Sequence, residues 1–262
     1  MLSGEESHQD PEAQTVGPRT DVLLIQESHG CQEDADQLSL VISSHQFWCS
    51  CGVNPTAGGV VIGLSRQTYN VDAICDDDVE ILDPGRILAI VAKRMPDGAA
   101  AVCFLTVHVQ PDLLKRERIA FFRKICDYER RHPGALLIMG GDFNSLPEDE
   151  FVFQVQTSRL TPCHPGAAKD FASILGWSEI FQEDYTRVGR HTSDTDDVGE
   201  VRTLARLDRL YSNLNVVDLL DLRPSAATCA SVLERFHISD HTAVRGSIDA
   251  RRVEGGDPRI PP

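Results

Sequence analysis

Short apolar runs rich in Val, Ile and Leu recur along the first half of this chain. They are VLLIQ (Val22–Gln26), GVVIGL (Gly59–Leu64), ILAIVA (Ile87–Ala92), VCFLTVHV (Val102–Val109) and LLIM (Leu136–Met139). Runs of that length and composition read as short β-strands. Asp83-Pro84-Gly85 between two such runs predicts a hairpin turn, because Pro presets φ and Gly takes the position that needs φ > 0. From Pro111 to His132 the period changes to that of a helix, with Leu114, Phe121, Ile125 and Tyr128 on one face and His132-Pro133-Gly134 as its stop. Its polar side carries Lys115, Arg116, Arg118, Arg123, Lys124, Arg130 and Arg131, which read as a solvated face ahead of a phosphate-contacting one.

The later segments carry weaker patterns. Phe171–Phe181 reads as a short helix broken near Gly176, and Arg187–Glu200 as a polar loop. Leu207–Tyr211, Val216–Leu222 and Thr242–Ile248 read as strands. The mixture predicts an α/β four-layer sandwich, with two mixed β-sheets packed face to face and helices outside. Residues 1–20 are polar and acidic and read as a disordered lead, 21–250 as one domain, and 251–262 (RRVEGGDPRIPP closing the chain) as a linker or tail.

Charge narrows the function classes. Lys and Arg total 25 against 40 Asp and Glu, a formal net charge of −15. Such a chain does not hold nucleic acid by bulk charge, although local basic contacts beside an acidic, metal-holding cluster remain compatible with a nucleic-acid enzyme. No apolar run reaches the length of a membrane span, and no signal peptide is recognisable, so the expected location is intracellular, not secreted. The eight Cys are scattered and read as reduced thiols; Cys49-Ser50-Cys51 is the one close pair and lacks a zinc-site counterpart. Cys229–Arg235 matches the Cys-x₅-Arg spacing of cysteine phosphatases. It lacks the glycine that would open the loop to phosphate, and Glu234 would repel the anion.

Several polar residues interrupt the apolar pattern where chemistry is plausible. In MGGDFNSLP (Met139–Pro147) a strand runs into two glycines and then presents Asp142 and Asn144 two residues apart, on one face if extended. An acid that orients water beside an amide is a hydrolytic arrangement, and a capped turn is an equally good reading of the same residues. Ser239-Asp240-His241 stands before a β-like run and offers an acid and a base, or a hydrogen-bonded turn. In RLDRLY (Arg206–Tyr211) alternation puts Arg206, Asp208 and Leu210 on one face, and an Asp against His Nδ1–H would fix that ring's tautomer. Glu27 ends the first strand, and His108 sits in an otherwise apolar one; alone, each says little.

Taken in order, Gln26-Glu27, His108, Gly141-Asp142-Phe143-Asn144, Arg206-Leu207-Asp208 and Ser239-Asp240-His241 resemble the motif series of the endonuclease/exonuclease/phosphatase superfamily. The resemblance spans roughly Asp21 to Asp249. It implies that Glu27 and Asp240 bind Mg²⁺ (or Mn²⁺), with Asp208 close to the ion. Asp142 would orient or deprotonate the attacking water, and Asn144 would fix that water or the phosphate. His241, held by Asp208, and His108 would contact the phosphate as charge develops, His108 standing where relatives have a leaving-group donor. Arg206 would join Asn144 in binding substrate. Members of that superfamily begin with a strand supplying an Asn ahead of the metal-binding Glu, and Met1–Thr20 offers no such strand. The resemblance therefore implies a missing first inner strand, a lost phosphate or metal contact, and activity that is reduced or absent.

Within the superfamily, DVLLIQESHG, ARLDRLYSN and SDHTAV are similar to segments of the endonuclease domains of non-LTR (LINE-type) retrotransposons. That similarity implies metal-dependent nicking of DNA, a reverse transcriptase domain as partner in the full element, and a nuclear location. GDFNSLP and TVH are also similar to the poly(A)-deadenylase branch, which implies a 3′-exonuclease on RNA instead. A catalytically silent binding module or retroelement remnant is the third reading.

Overall fold

A computed structural model describes residues 20–53, 58–95, 101–145, 151–155, 158–162, 166–191, 201–229, 241 and 243–248. Four layers stack in it, as the sequence predicts. At the centre is a six-stranded mixed sheet in the order β10-β13-β7-β6-β5-β4. Its members are β4 (Val79–Asp83), β5 (Ile87–Lys93), β6 (Ala101–His108), β7 (Leu136–Asp142), β10 (Ser178–Glu179) and β13 (Asp208–Ser212). Among them only β6 and β7 run parallel; the helical crossover between them, α2 (Lys115–Arg131), is what a parallel pair requires. A second β-layer covers one face, made of β1 (Val22–Gln26), β2 (His45–Ser50) and β3 (Val60–Ser65) in the order β1-β3-β2, together with the hairpin β14 (Ser225–Cys229) and β15 (Ala243–Ser247). The two pieces are separate and antiparallel among the described residues, so the expected second mixed sheet is instead interrupted between β1 and β15. A side sheet, β11-β12-β8-β9, joins β8 (Phe151–Gln154), β9 (Arg159–Pro162), β11 (Arg187–His191) and β12 (Val201–Ala205).

Alternation along the strands builds two cores at once. Ile87, Ala89, Cys103, Leu105, Val107, Leu137 and Met139 point outward under α2 and α3 (Gly166–Ile174), against Phe121, Phe122, Ile125, Tyr128 and Phe171. Their sequence neighbours Leu88, Ile90, Val102, Phe104 and Leu136 point the other way and meet Val60, Ile62 and Leu64 of β3. Beyond that layer α1 (Gln32–Val41) seats Ala35 and Leu38 on Phe47, Val61, Leu23 and Ile25. Each strand thus buries both faces, which is why these runs read as continuously apolar. At the predicted hairpin, Gly85 has φ +67 and its missing Cβ lets Gly52 approach closely.

Three readings need correction. Val216–Leu222 is not a strand: α4 (Val216–Asp221) begins at Asn215, whose side chain accepts from the backbone N–H of Val217 and Asp218. That cap outweighs the β propensity of two valines. Leu114 is exposed at the N-cap of α2, and Phe122 takes its place on the buried face. Arg187–His191, a loop by its polar composition, is β11, and the apolar patterns of α1 and β2 are too short to mark those elements in the sequence. The α2 cations pair with acids, Arg118 with Asp170 at 3.0 Å, Lys124 with Asp83 at 2.7 Å and Arg130 with Asp127 at 2.7 Å. A solvated, ion-paired face is therefore what that helix presents. None of the described helices is long and apolar enough to cross a membrane.

Candidate active site

Strand register assembles the site. His108 ends β6, Asp142 ends β7 and Asp208 begins β13, and the pairing sets His108 opposite Asp142 and Asp142 opposite Asp208. Residues paired across neighbouring strands share a face, so the three side chains form a row at one end of the seam between the β-layers. Glu27 follows directly on β1 at the same end, and His241 lies just before β15, bridged to Arg187 of β11. Gly141 makes the crowding tolerable: any Cβ there would fall inside the van der Waals radius of the Val107 carbonyl oxygen.

Asp142 and Asn144 form a closed local unit. One carboxylate oxygen of Asp142 accepts from the Asn144 backbone N–H at 2.7 Å, and the other accepts from Asn144 Nδ2 at 2.8 Å. Asn144 Nδ2 also donates to the Val109 carbonyl at 2.9 Å, and its backbone is left-handed at φ 45. The turn and the acid are therefore one device, in which the amide aims the carboxylate. Asp142 is 5% exposed, and burial, reinforced by the Asp208 charge beside it, pushes its carboxyl up to about 6.

The two histidines sit in opposite electrostatic settings. His241 Nδ1 is 2.8 Å from Asp208 Oδ2, so the ring donates its Nδ1 proton there and turns Nε2 toward Asp142 Oδ2 at 4.0 Å. His108 Nδ1 is 2.8 Å from Arg86 Nη1. A guanidinium only donates, so His108 Nδ1 accepts and the ring proton sits on Nε2, 3.4 Å from Glu27 Oε1. Burial, then the Arg86 charge, hold His108 down to about 4, a neutral ring with one N–H facing the cleft. Glu27 has a left-handed backbone at φ 51 and a side chain 57% exposed, open toward solvent. Gln26 Nε2 anchors the end of β1 to Thr106 Oγ1 at 2.9 Å.

Ser239 and Asp240 lie outside the described residues. Among the described residues no three His, Cys, Asp or Glu side chains form a ready-made metal cage. The donors present are nonetheless those that suit a hard cation: an open carboxylate at Glu27 and excess negative charge at Asp142 and Asp208. Mg²⁺ takes one or two carboxylates and keeps most of its waters, so this sparse oxygen set fits it.

The fold has counterparts among solved structures. An AP endonuclease from Archaeoglobus fulgidus superposes with a TM-score of 0.58 at 15% identity, covering 87% of this chain and 89% of that one. D. rerio TDP2 in complex with a single-strand DNA product gives 0.55 at 15% identity over 86% and 84%. The endonuclease domain of TRAS1, a telomere-specific non-LTR retrotransposon, gives 0.52 at 13% identity over 86% and 97%. The chain has the endonuclease/exonuclease/phosphatase fold. No protein-family model and no curated protein matches the sequence.

Within the endonuclease/exonuclease/phosphatase fold, Arg206 is not brought to the cluster. It is 6% exposed, paired with Glu179, and its guanidinium lies over the Phe181 ring at 4.5 Å. It precedes β13 and so escapes the alternation that sends Asp208 and Leu210 to the inner face. Three residues that sequence reasoning passed over do serve the site. Arg86 orients His108, and Arg187 carries positive charge near Asp142. Thr186 Oγ1 accepts from the backbone N–H of Leu207 and Asp208 at 2.8 and 2.9 Å, fixing the entry to β13. Arg86 follows the legible Asp-Pro-Gly turn; Arg187 and Thr186 carry no local signal.

Proposed function

We propose that this chain hydrolyses phosphodiester bonds in nucleic acid with a bound divalent cation, nicking DNA as the endonuclease of a non-LTR retrotransposon does. The observation that supports it most is the convergence of Asp208, hydrogen-bonded to His241, with Asp142 4.0 Å from the same ring and with His108 and Glu27 3.4 Å apart at the same end of the strands. Glu27, together with Asp240 of the Ser-Asp-His motif, would hold Mg²⁺ (or Mn²⁺), which when bound neutralises the scissile phosphate and the charge on the leaving oxygen. Asp142, buried and aimed by Asn144, takes the proton of the attacking water; a carboxyl pushed up to about 6 is suited to that task near neutral pH. His241 presents Nε2 to the phosphate while Asp208 compensates the ring's charge. His108, kept neutral by burial and then by Arg86, donates a hydrogen bond from Nε2–H without changing charge. A buried, oriented acid or base of this kind contributes on the order of 10²–10⁴-fold.

Supercoiled plasmid incubated with the protein and Mg²⁺ tests this reading directly. Nicked circles that vanish with a chelator, and with Asp142→Asn, are the expected result; intact plasmid at every protein concentration refutes it. A labelled poly(A) oligonucleotide in parallel separates the RNA 3′-exonuclease reading, which uses the same residues but shortens that strand stepwise.

A further inference from the structure

Cys49-Ser50-Cys51 stands at the end of β2 and takes no part in the cluster described above. Side chains alternate along a strand, so the two thiols share the face that β2 turns toward α1, and Ser50 between them points the other way. Cys49 is buried there beside Phe47, Ala35 and Val61, whereas Cys51, just past the last pair of the ladder, is exposed. Burial, then the adjoining Cys51 thiol, push the Cys49 thiol up to about 12, so it rests protonated. Cys31 is exposed as well, but its thiol turns to Asp34 Oδ2 at 3.1 Å.

Ser50 links this pair to the candidate active site. Its hydroxyl oxygen, on a residue with 0% exposure, accepts from Gly85 N–H at 2.8 Å in the turn between β4 and β5. Gly85 has no slack: its carbonyl accepts from Gly59 N–H at 3.0 Å, and a Cβ on it would lie 2.4 Å from Gly52 Cα. The next residue, Arg86, holds His108 twice. Its guanidinium reaches Nδ1 at 2.8 Å, and its carbonyl accepts from His108 N–H at 2.9 Å. Displacing Ser50 therefore disturbs the support on which Arg86 stands.

A bond between the two thiols would displace it. Two residues of extended backbone span about 6.6 Å, near the upper limit for a disulfide, whose Cα atoms most often stand about 5.5–6 Å apart. Closure shortens the segment by about 0.5–1 Å, and the residue in the middle must buckle to absorb the change. We propose that Cys49 and Cys51 form a reversible disulfide whose closure draws Ser50 away from Gly85 and loosens the hold of Arg86 on His108. The oxidant is a small-molecule disulfide. Exposed Cys51, as the thiolate, attacks one of its sulfurs, forming a mixed disulfide and releasing one thiolate. Cys49 then gives its proton to solvent, and its thiolate attacks Cys51 Sγ, breaking the mixed disulfide and releasing the second. Two protein thiols lose two electrons, one small disulfide is reduced to two thiols, and the released thiolates take up the two protons. The consequence for phosphodiester cleavage rests on the function proposed above; the disulfide and its effect on Gly85 do not.

The full chain is treated with oxidised glutathione or with dithiothreitol. Disulfides are mapped by non-reducing peptide mass spectrometry, and Gly85 is followed by NMR-detected amide exchange. The expected result is a Cys49–Cys51 link, lighter by two hydrogens, with Gly85 exchange faster by about tenfold, both reversed by dithiothreitol. Cys51→Ser should abolish both responses, and Cys31→Ser should leave both intact. Ser50→Ala should speed Gly85 exchange in the reduced protein and remove its response to oxidant. Plasmid nicking should fall on oxidation and recover on reduction. Cys51 halted at the glutathione mixed disulfide, a link from Cys49 to another cysteine, or a Cys49–Cys51 link that leaves Gly85 exchange unchanged overturns the proposal. A protein that nicks nothing leaves the mapping and exchange to decide, whereas equal nicking in both states keeps the nuclease reading and overturns the link to His108.

Discussion

Asn at position 142 should make the metal-free protein more stable at neutral pH and less stable in acid. The Asp142 carboxyl is pushed from 3.8 up to about 6, first by burial and then by the Asp208 charge. A shift of about 2 units corresponds to about 3 kcal/mol of folded-state penalty once the group ionises. Because the folded pKa is raised, the folded state binds more protons between about pH 4 and pH 6, and stability falls as pH rises through that window. Asp142→Asn removes the penalty but turns an amide toward Asn144 Nδ2, which now donates to Asp142 Oδ2, at a cost of about 1–2 kcal/mol. The net expectation is a gain of about 1–2 kcal/mol near neutral pH and a loss of similar size near pH 4. Urea unfolding in chelator across that range reads it as a difference in midpoint that changes sign. Added Mg²⁺ should shrink the gain, since a cation beside the carboxylates offsets their repulsion. A midpoint difference that stays constant from acid to neutral pH would refute the claim that burial and Asp208 together strain this carboxylate.

Asp208→Asn should cut kcat by about 10²–10⁴-fold with little change in KM, because an amide carries no charge to compensate the His241 ring and can turn its N–H toward Nδ1, which reverses the tautomer; single-turnover nicking measures it. Arg86→Met should raise the His108 titration from about 4 toward 6.5, since Arg86 is one of the causes that depress it; ring ¹⁵N shifts report both the pKa and the loss of the Nε2–H tautomer. Gly141→Ala should cost more than about 3 kcal/mol, or leave the chain insoluble, because the added methyl collides with the Val107 carbonyl near the end of a parallel strand pair; chemical denaturation checks it.

Much of the architecture is legible from local pattern because each central strand carries its own signal. Residues that bury both faces must be apolar at successive positions, and VLLIQ, VVIGL, ILAIVA and VCFLTVHV are so without long-range information. Polar exceptions within such runs stand out for the same reason: His108 and Asp142 interrupt apolar strands and prove to be neighbours in register. Local pattern misleads where a cap competes with propensity, as at Asn215, where two hydrogen bonds from one side chain turn Val216–Asp221 into a helix. It also misleads at Arg206, whose place depends on where β13 begins and on Glu179, a residue distant in the sequence.

The amino-acid order by itself determined the layered α/β architecture, the strand ends on which chemistry sits, and the candidate acids and histidines, since those follow from hydrophobic period and from short motifs. Only the tertiary structure decided their partners. Whether His241 faces Asp208 and whether His108 faces a cation are set by pairings between residues far apart along the chain. Such contacts leave no periodic trace, because the free energy that selects them comes from closing the whole core and not from any one segment.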